Sequence, residues 1–203
     1  MKKWIILIGI GFAAALMFMR ANDKIEIPQE SVILAFGDSL TQGYGASASE
    51  AYPARLGKIL SMRVINGGIN GEDSHQAAAR LPSLLDEIKP RIVILCHGGN
   101  DILRKYDLKE TKQNLSFMIT LMQSKNIDVI FVGVPSGLFT DADNLYDELA
   151  DEYDLIYDDS TLAKIIKTPS LKSDQIHPNA AGYDMLAQNL AKLFNDHFNI
   201  AGR

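Results

Sequence analysis

Val32-Ile33-Leu34-Ala35-Phe36-Gly37-Asp38-Ser39-Leu40-Thr41-Gln42-Gly43-Tyr44-Gly45 is the stretch on which the fold turns. Its first five residues are apolar without alternation, so both faces of the strand they form must be covered, as in a parallel sheet with helices above and below. A polar, glycine-bearing loop follows, with a serine placed directly after an aspartate. The same pairing recurs further along. Arg63-Val64-Ile65-Asn66 leads into Gly67-Gly68-Ile69-Asn70-Gly71-Glu72, and Arg91 to Cys96 leads into His97-Gly98-Gly99-Asn100-Asp101. Ile127 to Val134 and a weaker Asp154 to Tyr157 bring the expected number of strands to about five. Helical patterns separate them, over Ala51 to Leu60, Ser74 to Ile88, Leu108 to Ser124, Asp143 to Glu152 and Ser160 to Lys167. Lys89-Pro90 stops the second of these. A final amphipathic helix runs from Asn179 to Phe198, with Asn179 as its cap. Strands alternating with helices predict a three-layer α/β/α domain on a parallel sheet, joined by right-handed crossovers. In such folds the working groups gather at the carboxyl ends of the strands.

The 203 residues, 47% hydrophobic, can build a substantial core, and residues 26–203 fit one domain. A net charge of −5 with no basic cluster beyond Lys2-Lys3 argues against a nucleic-acid partner. The single cysteine, Cys96, lies in an apolar run and reads as a small buried hydrophobe. It cannot form an intrachain disulfide or a thiolate metal site. His75, His97, His177 and His197 show no ligand spacing, so neither a metal nor another cofactor is expected.

Residues 1–25 read as a signal peptide or membrane anchor. Lys2-Lys3 precedes an uncharged stretch from Trp4 to Met19, and Arg20 closes it. As a helix that stretch is about 24 Å long, against roughly 30 Å of hydrocarbon, and the flanking cations can snorkel across the difference. Cutting after Ala13-Ala14-Ala15 would leave Leu16-Met17-Phe18-Met19 exposed, which favours an uncleaved anchor over a removed peptide. Either way the domain is expected to be exported to the periplasm or cell envelope, with residues 4–19 able to hold it to the inner membrane.

Far downstream, Ser173-Asp174-Gln175-Ile176-His177-Pro178-Asn179 precedes the last helix. Taken singly, each loop has a plain explanation: Gly-Asp-Ser as a helix cap, the glycines as turns, Asn100 as a turn residue. Their joint occurrence at one sheet edge makes a chemically complete set. Ser39 is a weak nucleophile until a base takes its proton. His177 can do so near neutral pH, and Asp174, three residues earlier, can fix its tautomer and stabilise the imidazolium. The N–H groups of Ser39 and Gly71 and the side-chain amide of Asn100 can supply an oxyanion hole.

These blocks resemble the SGNH hydrolase superfamily, or GDSL esterases, and most closely its exported bacterial branch of thioesterases, lysophospholipases and arylesterases. Phe36-Gly37-Asp38-Ser39-Leu40-Thr41 matches the nucleophile block, and Asn66 to Ser74 with Arg80-Leu81-Pro82 matches the glycine block. Gly98-Gly99-Asn100-Asp101 matches the asparagine block, and Asp174-Gln175-Ile176-His177-Pro178-Asn179 the Asp-x-x-His block. The likeness covers about Val32 to Leu193. One departure is Asp73, where the family has a threonine; an aspartate can cap the following helix as well. The resemblance implies a flavodoxin-like fold, catalysis by Ser39, Asp174 and His177, and an oxyanion hole of Ser39, Gly71 and Asn100. It also implies a shallow, mobile groove in which Ile102, Leu103, Pro135 and Leu138 hold an acyl chain.

Three readings follow. The first is a serine esterase acting on carboxylic esters or thioesters of acyl chains, small-molecule or lipid, working as a monomer without cofactor. The second keeps the catalyst and changes the substrate to O-acetyl groups of sugars or peptidoglycan. The third, from another class, is a non-catalytic binding domain on the same fold, which the loss of a triad residue would signal; none is missing.

Overall fold

The computed structural model of the chain describes residues 24–135 and 143–202. The expected anchor at Trp4 to Met19 lies outside them, as does Leu138. No helix among the described residues is long and apolar enough to cross a membrane.

Five parallel strands form the central sheet. They are β2 (Val32–Gly37), β3 (Arg63–Gly68), β4 (Ile92–Cys96), β5 (Asp128–Val132) and β6 (Ile156–Asp158), in the order β3-β2-β4-β5-β6. This is the doubly wound, flavodoxin-like order, whose switch point lies between β2 and β4. The sequence explains who sits where. The uninterrupted apolar runs of β2, β4 and β5 are central and almost wholly buried, whereas β3, with Arg63 and Asn66, takes an edge.

Helices cover both faces. α2 (Tyr52–Leu60) packs on α8 (Ala180–His197) on one side. On the other, α3 (Ser74–Ile88) packs on α5 (Leu108–Ser124), which in turn meets α6 (Asp143–Glu152). α7 (Thr161–Lys167) joins the α8 side. One hydrophobic core joins the layers, with Phe36, Phe131, Tyr146, Tyr183 and Phe194 fully buried; each such side chain contributes about 1.5–3 kcal/mol.

Five departures from the sequence reading matter. The loop after β2 contains a one-turn helix, α1 (Ser39–Gln42), and the loop after β4 contains α4 (Gly99–Leu103). Both are too short to show periodicity. The last helix stops at His197, one residue short of expectation, because Phe198–Ile200 forms a strand, β7, beside β1 (Ile25–Ile27) in a separate parallel pair. The strand expected at Ile127 to Val134 is confined to Asp128–Val132, and the weak strand at Asp154 to Tyr157 is shifted to Ile156–Asp158.

Candidate active site

Every loop singled out from the sequence leaves the carboxyl end of a strand or precedes α8, and together they build one site. β2 ends at Gly37, where a Cβ would overlap Thr41 Oγ1 and the Cys96 carbonyl, so only glycine lets the chain turn here. Asp38 then caps α1, its Oδ1 accepting the Leu40 N–H at 3.0 Å. The cap reading of Gly-Asp-Ser therefore holds. Ser39 opens the helix, so its N–H belongs to the first turn, which the helix itself leaves unpaired.

The loop before α8 is folded tightly on itself. Ser173 N–H donates to the His177 carbonyl at 2.9 Å, and Asn179 Nδ2 donates to the carbonyls of Ser170 and Lys172 at 2.9 and 3.1 Å. The Asn179 Oδ1 caps α8 as expected, through Ala181 N and Gly182 N. Asp174 Oδ1 accepts the N–H groups of Ile176 and His177 at 2.9 and 2.8 Å, which leaves Oδ2 for the His177 ring, 2.7 Å from Nδ1. The other ring nitrogen, Nε2, is 3.0 Å from Ser39 Oγ. The pairing selects the tautomer that donates from Nδ1 to the carboxylate and accepts the serine proton at Nε2. The Tyr44 ring packs against the imidazole with centroids 4.5 Å apart, and Tyr183 holds Tyr44 in place by donating to its carbonyl. Partial burial pushes the Asp174 carboxyl up, but hydrogen bonds from the Ile176 N–H and the His177 ring outweigh that and keep it below its ordinary range.

The residues expected on the oxyanion side come from the next two loops. Gly71 has φ +75°, a left-handed conformation that suits glycine, and Arg104 Nη2 donates to its carbonyl at 2.7 Å. Arg104 also pairs with Asp73 at 3.2 Å. Asp73 caps α3 in a complete capping box with Gln76, so the departure from the family threonine leaves the helix start intact. Asn100 stands on α4, and its Nδ2 donates to Asp38 Oδ2 at 3.1 Å and to the Glu72 carbonyl at 3.0 Å. Both amide protons are thus engaged, and donation to an oxyanion requires one of these bonds to be shared or exchanged. Burial raises the Asp38 carboxyl above its ordinary range, opposed by the charge of His97 and the Leu40 N–H.

The sequence model of the GDSL-like lipase/acylhydrolase family matches residues 35–185, a span that contains all four loops. The chain belongs to that family. As a GDSL-family member it is a hydrolase acting on ester bonds. It is 32% identical over 169 residues to the thioesterase 1/protease 1/lysophospholipase L1 of Escherichia coli (strain K12), covering 79% of this chain and 81% of that protein. It is 31% identical over 180 residues to the arylesterase of Vibrio mimicus, covering 81% and 88%. Among solved structures, TesA superposes with a TM-score of 0.75 at 28% identity, over 81% of this chain and 98% of TesA. AlinE4, an SGNH-hydrolase family esterase, gives 0.67 at 32% identity, over 83% and 97%.

In this GDSL hydrolase a cavity of about 450 Å³ opens beside Ser39. Ile102, Leu103 and Pro135 line it, as the resemblance implied; Leu138 is outside the described residues. Leu40, Val134, Ile166 and Ile176 add apolar wall that sequence reasoning missed. Ile166 comes from α7, an element that carries no family block, so no motif pointed to it. Asp38, the Glu72 carbonyl and Arg104 were missed as supports because their partners are distant in sequence. Of these, Arg104 stands four residues after Asn100, about one helical turn away, and that spacing was the only hint.

Proposed function

We propose that this hydrolase is a serine esterase that cleaves carboxylic esters or thioesters of acyl chains through an acyl-enzyme on Ser39. The observation that carries the reading is the continuous relay Asp174 Oδ2–His177 Nδ1, His177 Nε2–Ser39 Oγ, at 2.7 and 3.0 Å, at the mouth of an apolar cavity. Ser39 Oγ attacks the carbonyl carbon while its proton passes to His177 Nε2. The oxyanion accepts hydrogen bonds from the Ser39 and Gly71 N–H groups and from Asn100, whose bond to the Glu72 carbonyl is the one it shares. Collapse expels the alcohol or thiol, which takes the proton from His177. A water, deprotonated by the same nitrogen, then attacks the acyl-enzyme, and the proton returns to Ser39 as the acid leaves.

A cavity of about 450 Å³ walled by Leu40, Ile102, Val134, Ile166 and Ile176 exceeds what an acetyl group fills, which favours acyl chains over the O-acetyl alternative. Residues 26–203 are read as the catalytic domain, a monomer, exported, with Trp4 to Met19 as signal peptide or anchor. Support for the export reading is the charge and hydropathy pattern of residues 2–20.

A panel of p-nitrophenyl esters of rising chain length, acyl-CoA, lysophospholipid and an acetylated sugar tests the substrate. Activity confined to the acetylated sugar overturns the acyl-chain reading. Ser39→Ala is expected to abolish hydrolysis with unchanged circular dichroism, and a fluorophosphonate probe to label Ser39; retained activity or labelling elsewhere refutes the nucleophile.

A further inference from the structure

His97 takes no part in that mechanism, yet it lies next to it. The residue follows β4 directly, its side chain is fully buried, and neither ring nitrogen has a hydrogen-bond partner among the described residues. A buried imidazole without such partners is costly, and an aliphatic side chain would fill the space without that penalty. What the ring does have is a charge partner. Its Nε2 lies 3.2 Å from Glu72 Oε2, within ion-pair distance though outside hydrogen-bond geometry.

Glu72 is the residue between Gly71 and the Asp73 cap. Its carboxylate is buried and gripped by Arg80, whose Nε and Nη2 donate at 2.8 and 2.6 Å. Burial would raise this carboxyl, but the close approach of the His97 ring and the hydrogen bonds and charge of Arg80 overcome that and hold it at about 2, so it is ionised across the working range. The Arg80 guanidinium lies 4.4 Å from the Phe36 ring centroid, and the Phe36 ring is 5.3 Å from His97. The partly buried Arg80 and the buried Glu72 and His97 thus form one assembly around Phe36. The Glu72 main chain carries its effect outward: its carbonyl receives the Asn100 amide, and its preceding residue supplies the Gly71 N–H. Asp38, which accepts the second Asn100 proton, is a further carboxyl near His97, while Tyr146 donates to the His97 carbonyl at 2.8 Å.

We propose that His97 is a positioning residue of the oxyanion hole: its buried imidazole steadies the Glu72 carboxylate, and with it the Gly71–Glu72 turn and the carbonyl that steers Asn100. The inference rests on the serine esterase reading. It explains a buried, unbonded imidazole that packing alone does not require, and it predicts an effect that runs through Glu72 and not through His177.

The test is a double-mutant cycle on the full chain, reading kcat and KM for a p-nitrophenyl ester. His97→Leu is expected to lower kcat by about 10- to 100-fold through misplacement of the oxyanion donors, with KM nearly unchanged. His97→Gln, which keeps an N–H in reach of Glu72, restores most of the loss. In a Glu72→Gln background His97→Leu has little further effect, because the two residues act in series. An unchanged kcat, or an equal loss in both backgrounds, overturns the proposal. Should His97→Leu fail to fold, His97→Asn, too short to reach Glu72, is compared with His97→Gln, and equal turnover in those two overturns it as well. A wild-type chain that neither hydrolyses the ester nor takes the fluorophosphonate on Ser39 defeats the esterase reading itself. A normal wild type with indifferent His97 variants defeats only this inference.

Discussion

At the residue scale, exposure decides how much Asp174 can do. The Asp174 side chain is 43% exposed, and the carboxylate is already held on Oδ1 by the backbone N–H groups of Ile176 and His177, so its orientation does not depend on the imidazole ring. Water screens its charge more than it would a fully buried aspartate, for which the asparagine variant loses about 10⁴-fold. In the proposed mechanism Asp174→Asn is therefore expected to lower kcat by about 10²- to 10³-fold, measured by steady-state hydrolysis; a loss under tenfold would assign the imidazole's orientation to the Tyr44 contact instead. Asn100→Ala removes one donor and should lower kcat by about 10²- to 10³-fold, with little change in KM. An effect on KM alone would mean that Asn100 binds the ground state. Ser39, Gly71, Asn100, Asp174 and His177 were legible in the sequence because each stands in a short contiguous pattern. His97 was visible as the first residue of the Asn100 loop and as a histidine without ligand spacing, but its approach to Glu72, 25 positions earlier, was not, since contacts of that kind leave no local trace.

At the element scale, the turn into α3 concentrates the charge that fastens the site. Its Asp73 cap was readable from residue type, and the capping box is there. The neighbouring Glu72 was not readable as a buried anion, because glutamate in a glycine-rich loop normally faces water. Its folded-state pKa of about 2 lies below the ordinary 4.5, so the folded form binds its proton less readily than the unfolded one. The stabilisation from this group is then complete above about pH 4.5 and is lost as the pH falls through 2, an amount on the order of 3 kcal/mol. Urea unfolding of the wild type between pH 5 and 2 should show this decline. Glu72→Gln is expected to be less stable at pH 7 and to show a shallower fall in the acid range; identical slopes would place the acid sensitivity elsewhere. The one-turn helices α1 and α4 escaped the sequence reading for a different reason. They bend the chain at the loops that carry Ser39 and Asn100, and four or five residues carry no period to detect.

At the scale of the whole molecule, the parallel sheet and its layers followed from the pattern of apolar runs and the flavodoxin-like arrangement only from the family resemblance, while the pairing of the two ends of the domain followed from neither. β1 and β7 have three residues each, and their register joins Ile25 to Phe198 across nearly the full chain. Such a pair is recognisable only once α8 has carried the chain from His177 back to the opposite edge of the sheet, about 27 Å for its 18 residues. The clasp thus sits at the pole away from Ser39, and Lys24, where the described part of the domain begins, emerges there too. Phe198 is the clasp's buried anchor, 2% exposed and stacked on Phe194 at 5.1 Å between centroids, beside the fully buried Ile27. Phe198→Ala leaves a cavity there and is expected to cost about 3 kcal/mol of stability, read as a lower urea midpoint at constant slope. Because the hydrogen bonds of the relay lie in the loops before α8 and the clasp lies after it, kcat at 25 °C should be unchanged while the protein remains folded. A fall in kcat at undiminished stability would mean that α8 transmits strain along its length to His177, and that the two poles are not independent.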